Sequence, residues 1–92
     1  MTIFDKIPLR IIKEQELIIG PLAWDEARKV IGLIVDQSHN SVSFSGDEKD
    51  IVNRLVAQYE RLFGLASHEV CKEAVQDLIA EMSPEEIPSS LK

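Results

Sequence analysis

The chain has 92 residues, a formal net charge of −6 and 45% hydrophobic residues, which is the composition of one globular domain. It is too hydrophobic for a disordered chain, and no apolar run approaches the roughly 18–20 residues of a membrane span. The acidic balance disfavours non-specific nucleic-acid binding, which requires a basic surface. A single cysteine, Cys71, excludes an intramolecular disulfide framework and favours a cytoplasmic location.

The first segment, residues 9–19, fits either of two secondary structures. The spacing of its isoleucines matches one face of a helix. The alternation of Ile7, Leu9 and Ile11 matches a strand, and the β-branched content suits one. We expect a helix from about Leu9 with an extended start, and the sequence leaves the strand open as the alternative.

A second helix is predicted over residues 22–35, after the Gly20-Pro21 break, because Pro suits the first helical turn. Apolar residues occupy more than one side of it, which is typical of a helix that is central or contacts a partner. Trp24, Ile31 and Val35 are therefore the predicted interface residues. Gly32 weakens such a helix by about 1 kcal/mol unless close packing requires it.

Residues 41–45 form the predicted extended segment, because Val42 and Phe44 alternate with serines between turn-forming residues. A lone strand is unstable, so it would have to pair with the extended N-terminal segment or with the same strand of a second copy. An irregular loop anchored by Phe44 is the alternative.

Two amphipathic helices are predicted in the C-terminal half, over residues 48–63 and 67–82. Asp47 is a suitable N-cap for the first, and Gly64 suits the break between them. Ser83-Pro84 should start one further turn. We expect residues 83–92 to form a loose tail.

A weak internal similarity relates residues 16–23 to residues 60–66, with an offset of 44 positions. Each segment contains a Glu, then apolar residues, then Gly. Each copy would be a helix, a glycine break and a second helix. Coincidence between two amphipathic helix pairs is the alternative explanation.

Three residues are candidates for chemistry. His68 and Cys71 lie three positions apart on a predicted helix, so both can face one way, as a metal site or a Cys–His nucleophile requires. Zinc needs three or four ligands, however, and His39, the other imidazole, lies in the predicted loop. Cys71 also fits the apolar stripe of its helix, and free cysteine is usually a buried, small apolar residue. We therefore predict no catalytic residue, cofactor or metal.

The sequence thus predicts a single, mainly α domain over residues 1–92. It is a small four-helix domain built of two helix pairs, with a short extended or β segment near residues 41–45. The predicted function is a non-catalytic interaction module that acts through helix packing, as a homodimer or with a helical protein partner. The alternative is a small-molecule- or metal-binding protein, or a minor enzyme, with a site between the helix pairs that uses His68, Cys71 and His39.

Overall fold

The computed structural model describes residues 3–92, about 70% of which are helical. The α-helices of this part are α1 (Ile3–Ile19), α2 (Leu22–Arg28), α3 (Glu48–Phe63), α4 (Leu65–Ala74) and α5 (Gln76–Ile79). The strands β1 (Leu33–Asp36) and β2 (Ser41–Phe44) form a two-stranded antiparallel sheet between α2 and α3. The mainly α class and the short β segment are confirmed. Met1 and Thr2, which were assigned to the same domain, lie outside the described residues.

The helices form two helix–glycine–helix units with equivalent buried positions. The first unit is α1, Gly20 and α2, and the second is α3, Gly64 and α4. Every buried position of α1 has a buried counterpart 44 residues later in α3. The five pairs are Ile7 with Ile51, Pro8 with Val52, Ile11 with Leu55, Ile12 with Val56, and Gln15 with Tyr59.

Two reciprocal hydrogen bonds join the units. The amide nitrogen of Gln15 in α1 donates to the carbonyl oxygen of Ser67 in α4, at 3.0 Å. The hydroxyl of Tyr59 in α3 donates to the carbonyl oxygen of Ala23 in α2, at 2.6 Å. The donors are 44 positions apart, and so are the acceptors. The units therefore face each other about an approximate twofold axis.

The chain bends at Gly20 and at Gly64, here called the glycine elbows, and an equivalent pair of side chains spans each bend. Glu16 accepts a hydrogen bond from Trp24 Nε1 at 2.8 Å across the first elbow. Glu60 lies 2.6 Å from His68 Nδ1 across the second. Gly20 and Gly64 have φ values of +69° and +86°, a conformation that favours glycine. The weak sequence similarity therefore coincides with a structural equivalence.

Helix α1 begins earlier than predicted. The expected extended start before Leu9 is wrong, since the helix runs from Ile3 and contains Pro8 in its second turn. Pro8 lacks an N–H and normally disfavours a helix interior. Its full burial, together with Ile7 and Ile11, indicates that packing against α3 and α4 overrides the local preference.

The second predicted helix is too long. Helix α2 ends at Arg28, and residues 33–36 form β1 instead of continuing it. Gly32 ends the helical path with a φ of +91°, and the following Leu33, Ile34 and Val35 include two β-branched residues that suit a strand. Close packing does require Gly32, because a Cβ there would lie 2.8 Å from Ile51 Cδ1.

The partner of β2 also differs from the expectation. It pairs with β1, in the register Leu33 to Phe44 and Asp36 to Ser41, and not with the N-terminal segment. The connection is a 3-10 turn followed by Asn40 in the left-handed conformation, with φ 48°. The backbone amide of Ser45 then donates to Gly32 O at 2.7 Å and closes the hairpin.

The helix predicted over residues 67–82 is broken at Val75, which separates α4 from α5. The guanidinium of Arg10 in α1 donates to the carbonyl of Ala74 at 3.1 Å. It also donates to both carboxylate oxygens of Asp77, at 2.9 and 3.0 Å. Arg10 thus satisfies a carbonyl that a continuous helix would have paired with its own backbone.

The C-terminal tail is docked and not loose. Leu91 is only 4% exposed and belongs to the core. The backbone amide and the hydroxyl of Ser90 both donate to Asn53 Oδ1, at 3.0 and 2.6 Å. The predicted turn at Ser83-Pro84 is present as a 3-10 turn, with the hydroxyl of Ser83 bonded to Glu86.

Substitution of the glycines should distinguish close packing from backbone strain. Gly20→Ala has open space around its Cβ and should lose about 1–2 kcal/mol because of its positive φ alone. Gly32→Ala adds overlap with Ile51 and with Ser45 O, so it should lose about 2–5 kcal/mol. Urea denaturation of both variants measures the difference, and equal losses would contradict the packing role of Gly32.

The Arg10–Asp77 ion pair should make the free energy of unfolding depend on pH in the acid range. The Arg10 guanidinium holds the pKa of Asp77 below its usual range. A carboxylate with a lowered folded-state pKa stabilises the fold above its unfolded pKa, and that contribution is lost as the pH falls through the folded value. In Asp77→Asn and in Arg10→Gln, the free energy of unfolding should fall less steeply as the pH drops below about 4. A full acid slope in Asp77→Asn, measured by urea titration at several pH values, would refute this link.

Candidate functional site

Four helix termini meet at one end of the molecule. The bond from Gln15 to Ser67 brings the end of α1 to the start of α4. The bond from Tyr59 to Ala23 brings the end of α3 to the start of α2. The elbows at Gly20 and Gly64 lie between these termini. Six apolar residues of this region, here called the apolar end, are Leu17, Ile18, Leu22, Leu62, Phe63 and Leu65.

The residues of the apolar end are unusually exposed for their type. Leu17 is 80% exposed, Leu65 68% and Ile18 62%, and the other three are 36–47% exposed. A shallow groove between α1 and α4 adjoins this surface and has a mixed lining, with Leu17, Ile18, Val70 and Ala74 beside four charged residues. Concentrated exposure of large apolar side chains marks interaction sites, whereas scattered ones need no explanation.

The apolar end spans both units. Ile18 of α1 and Leu62 of α3 occupy equivalent positions, 44 residues apart. Charged side chains of both signs adjoin it, since Arg10, Glu14, Glu73 and Asp77 line the groove that also contains Leu17 and Ile18. The arrangement is an apolar patch with a polar rim, which is the general organisation of a protein interface.

The three predicted interface residues lie in different environments. Trp24 is 1% exposed and so presents almost no surface to a partner, and its assignment to an interface stays a prediction. Its indole N–H is bonded to Glu16 behind the first elbow. Ile31 is 81% exposed, but it follows α2, beside Arg54, whose guanidinium donates to Ile31 O at 3.2 Å. Val35 is partly buried in β1. The three do not share a helical face.

His68 connects the C-terminal tail to the second glycine elbow through its two ring nitrogens. Its Nδ1 lies 2.6 Å from Glu60 Oε2, and its Nε2 lies 2.5 Å from the carbonyl oxygen of Ser90. The two ring nitrogens of His68 thus connect Glu60 of α3 with Ser90 of the tail. This is a structural role, which the sequence did not indicate.

Cys71 lies in the core, as expected if it serves as a small apolar residue and not as a chemical group. It is fully buried, and Gln15 Nε2 lies 3.4 Å from its sulfur. Burial raises the pKa of the thiol to about 11, which disfavours the reactive thiolate. The oxygen of the same Gln15 amide, Oε1, is also buried, and it accepts no hydrogen bond from residues 3–92.

His39 does not join the other two candidates. It lies in the hairpin turn, where its Nδ1 is 2.7 Å from Asp36 Oδ2 and 3.2 Å from Ser38 Oγ. The groove that it lines is formed by α1 and the hairpin, whereas His68 and Cys71 are on α4. Within the described residues, no three His, Cys, Asp or Glu side chains are placed to hold a metal ion.

The helices of residues 3–92 include none whose length and hydropathy would let it cross a membrane. Comparison of the chain with protein-family models, with curated proteins and with solved structures finds no match.

The apolar end was missed by sequence reasoning because its residues continue the buried stripes of their helices. Leu62 and Phe63 have the spacing of core residues, yet they are 47% and 36% exposed in the last turn of α3. The available signal was the internal similarity, since apolar residues flank both Gly20 and Gly64.

Burial of Cys71 predicts slow chemical modification. In the folded protein at pH 8, a disulfide reagent such as dithionitrobenzoate should react with Cys71 at least about 100-fold more slowly than in the denatured chain, because the thiol is buried and its pKa is raised. The chain in guanidinium chloride is the control. Equal rates in the two states would restore Cys71 as a candidate nucleophile.

Proposed function

We propose that this protein is an interaction module without catalytic activity, which forms a homodimer by packing of helix ends at the apolar end. The single observation that carries the proposal is the exposure of six large apolar side chains around the two glycine elbows. We further propose that it works in the cytoplasm, where the free thiol of Cys71 stays reduced.

A second copy is the partner that the arrangement favours. A twofold dimer interface brings the same patch of both subunits together, so the patch must be complementary to itself. The apolar end contains equivalent residues from both units, such as Ile18 and Leu62. The groove beside it is lined by Arg10 as well as Glu14, Glu73 and Asp77, so charges of both signs lie at its edge.

The energetics permit a dimer. Burial of a fully exposed Leu, Ile or Phe contributes about 1.5–3 kcal/mol, so covering six that are 36–80% exposed on each of two copies contributes about 10–20 kcal/mol in total. Loss of translational and rotational freedom costs about 4–15 kcal/mol. The apolar gain is therefore large enough to offset the cost of association.

Sedimentation equilibrium of matched charge variants tests this interface. Leu17→Glu/Leu65→Glu places two carboxylates in the apolar end, at positions 80% and 68% exposed, so the fold should persist while dimerisation is lost. Ile31→Glu/Ile34→Glu adds the same charge at positions 81% and 56% exposed outside the apolar end, and it should still dimerise. Circular dichroism checks that both variants stay folded.

Two results would contradict the proposal. One is a monomeric unmodified chain at all concentrations up to about 1 mM, which would leave a different helical protein as the partner. The other is equal dimerisation of the two double variants. The salt dependence adds a further check, because two chains of charge −6 repel each other and salt screens that repulsion. Dimerisation should therefore strengthen between low salt and 0.5 M salt.

A further inference from the structure

A second concave surface, separate from the apolar end, lies between α1 and the β-hairpin. It has a volume of about 410 Å³, within the range of small-molecule sites. Leu9 and Val42 supply its apolar wall. Lys6, Arg10 and Lys13, on one side of α1, supply positive charge. We call this surface the cationic groove.

The concentration of cations is notable because the chain as a whole is acidic. The sequence has ten Lys and Arg residues against sixteen Asp and Glu, and three of the ten line this groove. The positions of Lys6, Arg10 and Lys13 repeat every three or four residues, which places them on one face of α1. His39 of the hairpin turn lines the opposite wall.

The cations of the groove differ in what they contact. Arg10 is paired with the carboxylate of Asp77 and bound to Ala74 O, so its charge is balanced within the fold. Among residues 3–92, Lys6 and Lys13 make no ion pair and no side-chain hydrogen bond. Asp5, which also lines the groove, has a contact of its own. His39 is held by Asp36. The two lysine ammonium groups are thus available to an anion.

A second groove with cations provides a useful contrast. It is lined by Lys29, Arg54 and Arg61, and each of these already donates to a protein oxygen, on Glu26, Ile31 and Gln58 respectively. The ammonium group of Lys29 is therefore paired with a carboxylate, and the guanidinium groups of Arg54 and Arg61 are held by neutral oxygens. Of these two grooves, only the cationic groove combines an apolar wall with unpaired ammonium groups.

We infer that the cationic groove binds a free aliphatic carboxylate, with its chain against Leu9 and Val42 and its carboxylate between Lys6 and Lys13. The apolar wall and the cations require a ligand with both properties. A membrane surface fits poorly, because a chain of charge −6 is repelled by anionic lipid and the groove is concave. The volume suits a short chain better than a peptide.

Titration of octanoate into the ¹⁵N-labelled chain, followed by NMR, tests the inference. Saturable shifts are expected at backbone amides of residues 5–13 and 39–42. Octanol, which lacks the charge, and acetate, which lacks the chain, should both bind more weakly. A Glu-rich peptide that shifts the same amides in place of octanoate would overturn the inference.

Matched variants locate the binding site. Lys6→Gln/Lys13→Gln should weaken octanoate binding about three- to tenfold. Lys72→Gln/Lys92→Gln changes the net charge by the same amount at residues outside the groove, and it should leave octanoate binding unchanged. Equal affinities of the two double variants, or no saturation by about 10 mM octanoate, would refute the inference. Circular dichroism establishes that each variant is folded.

Discussion

The reciprocal pair of hydrogen bonds between the two helix–glycine–helix units is the constraint on which the structure depends. Gln15 to Ser67 O and Tyr59 to Ala23 O fix how far each unit slides along the other. Both bonds are buried, and a buried bond to a backbone carbonyl contributes about 0.5–1.5 kcal/mol. Their larger effect is positional, because they bring four helix ends together and so create the apolar end.

Much of the helical framework was predictable from local patterns, whereas the long-range contacts were not. Asp47 caps α3 through bonds from Lys49 N and Asp50 N, and Gly64 ends it, as the sequence indicated. The break at Val75 was not predictable from local patterns, and the side chain that bonds the Ala74 carbonyl there, Arg10, lies 64 positions earlier. The β-hairpin was half predicted, since the strand tendency of residues 33–36 was masked by a continuing apolar run that also fits a helix.

The candidate surfaces were less predictable than the fold, for a physical reason. Periodicity identifies an apolar face but not which turns of it a partner helix covers. Leu62 and Tyr59 belong to the same stripe of α3, yet Tyr59 is fully buried and Leu62 is 47% exposed. The cationic groove likewise depends on the hairpin folding back against α1. Its lysines are ordinary surface residues in the sequence and acquire a shared setting only through that contact.

The equivalence of the two units has a consequence for how the chain can assemble. Each unit presents to the other the same pattern of buried residues and the same donor and acceptor positions. Residues 29–47, which include the hairpin, are the covalent connection between them. Equivalent halves joined by one connection are the arrangement from which domain-swapped dimers generally form. The strands of this connection pack on α1 and α2, and these contacts oppose such an exchange.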